Sequence, residues 1–167
     1  MIRFLKILMV LSVGAWGAFG ALGNLLDYSE GVGEVMKVMK MNYLEESPRS
    51  RWQRVEMPMF SHLAYVVILL PKLLTGILCT WCGLNMLRLV GANSAKFSAA
   101  KRMGVLGCVL SAVMLFFSFV VMAGIYFEAW RNPDFAVVPH HYASVYICTL
   151  MLFSIFLQMP EQSDSEN

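Results

Sequence analysis

Charge is scarce in this sequence: Asp, Glu, Lys and Arg make up 14% of 167 residues, against 58% hydrophobic residues. The mean hydropathy is +0.61, and a water-soluble domain of this size cannot cover its surface with so few charges. Strong charge of one sign is missing too, since 13 Lys and Arg against 11 Asp and Glu leave a net +2. A nucleic-acid binder needs a dense basic face, so no nucleic-acid partner is expected. Four cysteines are too few for a disulfide scaffold, and 12 Gly with 6 Pro show no collagen-like or linker-like bias. No P-loop, dinucleotide fingerprint, nucleophile elbow or zincin motif occurs, and no repeat with a period of roughly 20 to 50 residues. The expectation is therefore a protein without a cofactor and without a catalytic centre.

What the sequence does have is long uncharged runs. A hydrocarbon core of roughly 30 Å is crossed by about 20 apolar residues in a helix. Residues 7–26 form the first such run, opened by Arg3 and Lys6 and closed at Asp27. The second covers about 60–87, ends at Arg88 and is interrupted only by Lys72; the third covers 104–127, between Lys101 with Arg102 and Glu128. The fourth covers 139–159, with Pro139 suited to a helix start and Pro160 to a stop. Backbone groups in lipid must bond internally, and the runs lack the alternation of outer-membrane strands, so each reads as a helix. The predicted fold is all-α, a four-helix transmembrane bundle formed by one domain over residues 1–160, followed by a disordered acidic tail at 161–167. The first run has a rival reading as a secretory signal, with Ala18, Gly20 and Ala21 resembling a cleavage site.

Lys and Arg near the membrane set orientation, and six lie on each face. The segment 88–103 holds four bases and no acid, and the first run carries its bases at its start. Both termini are therefore expected in the cytoplasm of a multi-pass inner-membrane protein. The outer loop, 27–59, begins with an amphipathic pattern: Val32, Val35, Met36, Met39 and Tyr43 recur at helical spacing. Asp27 and Glu30 suggest a capping box, whereas Gly31 and Gly33 weaken an isolated helix, and the stretch either lies on the membrane or lids the bundle. Residues 45–54 read as a solvated turn.

Small residues run down the first span, with Gly14, Gly17, Gly20 and Gly23 interleaved with Ala15, Ala18 and Ala21. Such a stripe lets helices approach closely, within one bundle or across a homodimer through Gly14, Gly17, Gly20, Ala18 and Ala21. Gly107 with Ser111, or Cys108 with Ala112, offers a similar surface on the third span.

Lys72 is the most unusual residue, because a charge near mid-membrane costs at least roughly 2.5 to 3.5 kcal/mol. It could relay ions, dock a partner's acidic residue, snorkel toward Asp27 or Glu128, or bond the Val67 carbonyl that Pro71 frees. Cys79 and Cys82 have dithiol spacing but lie in an apolar run, where a reactive thiolate is disfavoured; Cys108 and Cys148 read as isolated small core residues. His62, His140 and His141 fall at the outer rim with Asp27, Glu128 and Asp134, a weak metal-site candidate without a recognised spacing. Met36, Met39, Met41, Met57 and Met59 could offer thioethers to Cu(I), although packing explains them equally. Trp16, Trp52, Trp81 and Trp130 read as aromatic belts near span ends.

The run Gly23 to Tyr28, then Val35, Val38, Met39 and Met41, Trp52, and Phe127-Glu128 with Trp130 form a pattern across most of the chain. It resembles a bacterial family of predicted small integral membrane proteins, a domain of unknown function. The sequence departs from that pattern at Asn42 and Lys72, where acids are expected. The resemblance implies a four-helix inner-membrane fold and assigns no reaction. Two function classes follow. The first is a non-catalytic interaction protein, most concretely an immunity protein against a membrane-acting, pore-forming bacterial toxin, with Lys72, Asp27, Glu128 and Trp130 as contact candidates and a membrane-inserted toxin or partner helix as partner. The second is a small transporter or an accessory protein that handles ions or metals.

Overall fold

The computed structural model describes residues 1–132 and 138–160. Helices dominate: α1 (Ile2–Leu26), α2 (Tyr28–Lys40), α3 (Pro48–Gln53), α4 (Pro58–Arg88), α5 (Ser94–Ala100), α6 (Arg102–Leu115) and α7 (Val138–Gln158). α6 runs on into a π-helical segment, Phe116–Tyr126, and a 3₁₀ turn follows at Ala129–Arg131. No strand occurs among the described residues.

Four stretches are long and apolar enough to cross a membrane: Ile2–Leu26, Pro58–Arg88, Ser94–Tyr126 and His141–Gln158. Their outward faces carry Leu8, Phe19, Leu63, Leu74, Val113 and Leu152, all exposed. Water could not solvate so continuous an apolar surface, whereas lipid does so without cost. Four crossings put the start of α1 and the end of α7 on one side of the bilayer, here termed the terminal end. α2, α3 and the 3₁₀ turn form a layer at the opposite, capped end.

The packing follows the small residues. α1 and α4 make the most extensive contact in the molecule, with α6 next to α4 and α7 next to α6. A Cβ on Gly17 would stand 2.6 Å from the Gly76 nitrogen, and one on Gly76 would stand 2.7 Å from the Ala18 nitrogen, so the two backbones touch. Gly14 faces Thr80 in the same way, Gly20 lies under the Lys72 side chain, and Ala21 is fully buried. Gly14, Gly17 and Gly20 of the stripe are thus used inside the bundle, against α4, while Ala15 and Ala18 are exposed. The α4–α6 contact uses the Gly107 and Ser111 surface: Thr75 Oγ1 donates to the Gly107 carbonyl at 2.8 Å, and Ser111 Oγ donates to Thr75 Oγ1 at 2.8 Å.

Three local expectations need correction. Asp27 precedes α2 but makes no side-chain cap bond, because the helical chain passes from α1 to α2 with only that residue between. Residues 45–54 are not merely a solvated turn: Ser47 and Ser50 form a reciprocal capping box that starts α3, and Ser50 and Gln53 are buried. The third span is not one regular helix, since beyond Leu115 its ladder widens to bonds such as Phe127 N to the Met122 carbonyl at 2.9 Å. The acidic tail lies outside the described residues.

Candidate functional site

Packing is tight in the terminal half and loose in the capped half. Toward the terminal end Val10, Cys79, Cys82, Met86 and Cys108 are fully buried in one cluster. Cys82 Sγ lies 3.2 Å from the Ala100 carbonyl, and Cys79 pairs with Cys108. Cys108 is thus part of a buried trio rather than isolated, whereas Cys148 is exposed on a spanning helix and is not a core residue. Cys79 and Cys82 are thereby enclosed in the packed core, away from solvent.

The same end is pinned by cations. Lys6 is fully buried and donates from Nζ to the Met159 carbonyl at 2.6 Å; Lys101 Nζ donates to the same oxygen at 3.2 Å. Both positive charges meet the end of α7, where helix carbonyls lack intrahelical donors. Arg3 donates to the Val90 and Ala92 carbonyls at 2.8 and 2.7 Å and lies over the Phe97 ring. In the sequence these bases signalled orientation alone; the structure adds that they close the terminal end.

In the capped half the π-helical segment stays against α7 and α6 but hardly touches α4. A cavity of about 680 Å³ fills the gap. Its floor is Trp16, Ile68, Lys72, Met114 and Tyr146; its roof is α2, through Gly31, Glu34, Val35 and Val38. Leu63 and Val67 of α4 and Phe117 of the π-helical segment line the cavity and are also exposed, so it opens sideways between those elements. The roof explains Gly31: the Tyr65 ring occupies the place a Cβ would take, and Tyr65 Oη donates to the Asn24 carbonyl at 3.0 Å. Gly33 meets nothing and has no such reason.

Lys72 lines this cavity. It neither snorkels toward Asp27 or Glu128 nor bonds the Val67 carbonyl; its ammonium sits 5.6 Å from the centre of the Trp16 ring, on the flank of Gly20. No hydrogen bond or ion pair links it to any described residue. Trp16 is accordingly a mid-span residue facing inward, not part of an aromatic belt, and it packs on Tyr146 at 5.3 Å.

The other candidates do not join Lys72. Glu128, in a left-handed conformation at φ 52°, pairs with Arg49 at 3.2 Å and Arg131 at 3.0 Å. Those bonds lock α3 to the end of the third span, and Val55 N to the Met39 carbonyl at 3.0 Å ties the returning chain to α2. Tyr43 Oη donates to the Phe127 carbonyl at 2.7 Å, and burial, assisted by the Glu128 carboxylate, pushes its pKa up to about 12. Trp130 and Trp52 are exposed beside this locked layer, and Asp27 is exposed at the α1–α2 junction. His62 is engaged with Tyr28, at 3.2 Å from its hydroxyl, and His141 stands beside Tyr142. Among the described residues no three His, Cys, Asp or Glu converge on a metal position, and the side chain of His140 and all of Asp134 lie outside the description. Of the methionines proposed for copper, Met39 and Met41 are buried in the capped-end core, while Met57 and Met59 are exposed.

Four apolar spans around a core of small residues, with an internal pocket facing lipid, define an integral membrane helical bundle. The family described as predicted small integral membrane protein (DUF2165) matches residues 2–160, and the chain belongs to it. No curated protein and no solved structure matches the chain.

Proposed function

We propose that the protein is a non-catalytic, multi-pass inner-membrane binding protein with both termini in the cytoplasm, and in its most specific form an immunity protein that shields its producer from a membrane-acting, pore-forming toxin. One observation carries the reading: the bundle is open in its capped half and sealed in its terminal half by the Gly17–Gly76 contact and the buried cysteine cluster. A molecule arriving from the outside or sideways through the bilayer can be received, but it has no route onward. That favours binding over the second reading, a transporter or ion-handling accessory, which needs a polar path between the two ends. The capped layer supplies the docking face, since the Arg49–Glu128–Arg131 cluster holds it rigid beneath exposed Trp52 and Trp130. Rigid aromatic and arginine residues are the usual anchors of protein interfaces.

The test is a mixed culture. Cells deleted for the gene lose fitness only among siblings that secrete the cognate toxin, and Trp52→Ala with Trp130→Ala weakens protection while membrane insertion stays normal. A fitness loss that instead tracks metal or pH stress contradicts the immunity reading and supports ion handling.

A further inference from the structure

The cavity bounded by Trp16, Lys72 and the roof helix α2 has a chemistry of its own, independent of any toxin. We propose that it is a binding site for a free long-chain fatty acid, whose carboxylate pairs with the Lys72 ammonium while its chain runs along the apolar wall to the opening between α4 and the π-helical segment. Volume supports this occupant. At roughly 30 Å³ per water-sized group, 680 Å³ has room for about twenty such groups, the bulk of an acid of about 16 to 18 carbons. The same space holds only about a turn and a half of a helix about 10 Å across, so a partner's transmembrane helix does not fit.

Charge supports it as well. Among the described residues Lys72 is the one cation on the wall, and the one carboxylate there, Glu34, sits at the roof and is paired with Lys37 at 2.5 Å. A low-dielectric cavity that presents one unmatched ammonium selects a ligand with one negative charge. A phosphate monoester carries more than one negative charge, and among the described lining residues there is no second cation to meet it. Gly20 gives the Lys72 side chain its place on the wall, because a Cβ there would stand 2.9 Å from Nζ. The sideways opening supplies the entrance, since fatty acids reside in the bilayer and arrive from the flank.

The experiment uses the full chain in phosphatidylcholine nanodiscs with tritiated palmitate as probe, and hexadecanol and hexadecyl phosphate as competitors. Palmitate binds saturably at about one equivalent. Lys72→Met weakens it about ten- to hundredfold, the worth of a hydrogen-bonded charge pair, and Lys72→Arg largely restores it. Hexadecanol competes weakly with palmitate on the wild-type protein, and its own affinity is unchanged by Lys72→Met. Ser118→Phe, which fills the cavity without touching the charge, abolishes binding of both, with helical content by circular dichroism confirming the fold of each variant. Equal palmitate affinity in Lys72→Met overturns the proposal, as does hexadecanol competing as well as the acid. Hexadecyl phosphate outcompeting palmitate would assign the site to phosphate lipids instead, and absence of saturable binding to the folded wild type would refute a lipid site altogether. None of these outcomes depends on whether a toxin is recognised at the capped face.

Discussion

Replacing Gly17 by alanine adds one methyl group where α1 and α4 cross. The new Cβ would stand 2.6 Å from the Gly76 nitrogen and 2.9 Å from both the Gly76 Cα and the Lys72 carbonyl oxygen. Non-bonded carbon contacts settle near 3.5 to 4.0 Å, so the helices have to separate by roughly 1 Å. All three neighbours are backbone atoms, and no side chain can swing away to make room. Overpacking of this kind costs about 1–3 kcal/mol, partly offset by the gain of about 1 kcal/mol from alanine over glycine in a helix. Gly23 provides the control, because a Cβ there meets nothing within 4 Å on the same helix. Gly23→Ala therefore keeps the propensity gain without the clash. The two variants should differ by about 1–3 kcal/mol, or about 5 °C in thermal unfolding midpoint for a chain of this length. Tryptophan fluorescence melts in one detergent read the difference, with Trp16 next to the crossing. If Gly17→Ala melts at or above Gly23→Ala, the close α1–α4 contact is wrong.

Three further outcomes follow from the geometry. Thr75→Val removes the donor to the Gly107 carbonyl and the acceptor of Ser111, so it should destabilise by about 1 kcal/mol; a double-mutant cycle with Ser111→Ala should show coupling of about 0.5 kcal/mol, and strict additivity would refute the shared network. The Tyr43 hydroxyl should ionise near pH 12 instead of its ordinary 10, so the stability it lends is intact below pH 10 and lost as pH rises toward 12. Absorbance at the tyrosinate band reads that late step: Tyr43→Phe removes it, and Glu128→Gln moves it part of the way down, leaving the larger effect of burial. Lys101→Met should loosen the end of α7, because Lys101 shares the Met159 carbonyl with Lys6; faster hydrogen exchange confined to the last turn of α7 is the expected signature, and uniform exchange across the bundle would contradict it.

The four spans were legible because desolvation acts on each residue where it stands: a charge or an unpaired amide in lipid is costly whatever its neighbours. Arg3, Lys6, Arg88, Lys101 and Glu128 therefore marked the ends of the runs without knowledge of the fold. The amphipathic α2 was legible for the same local reason, and its roofing role was one of two readings the pattern allowed. The π-helical segment was not, because the apolar run passes Leu115 with no Pro, Gly or charge to mark where the ladder widens. Lys72 stood out by its charge, but its meaning rests on Gly20 and Trp16, residues about 50 positions away in sequence. Gly14, Gly17 and Gly20 announced a close approach but not its partner; the matching signal was Gly76 with Thr80, small residues scattered through the longer α4.

The proposed function requires four crossings with the capped layer outside and the terminal end within. The most direct measurement is labelling of single introduced cysteines in intact cells by a membrane-impermeant thiol reagent, using Asn42→Cys between α2 and α3 and Ser98→Cys in α5, both exposed. The prediction is that Asn42→Cys reacts in intact cells and Ser98→Cys reacts only once the membrane is opened. Labelling of Ser98→Cys from outside, or of both positions alike, would contradict the architecture on which the cavity and the proposed function depend.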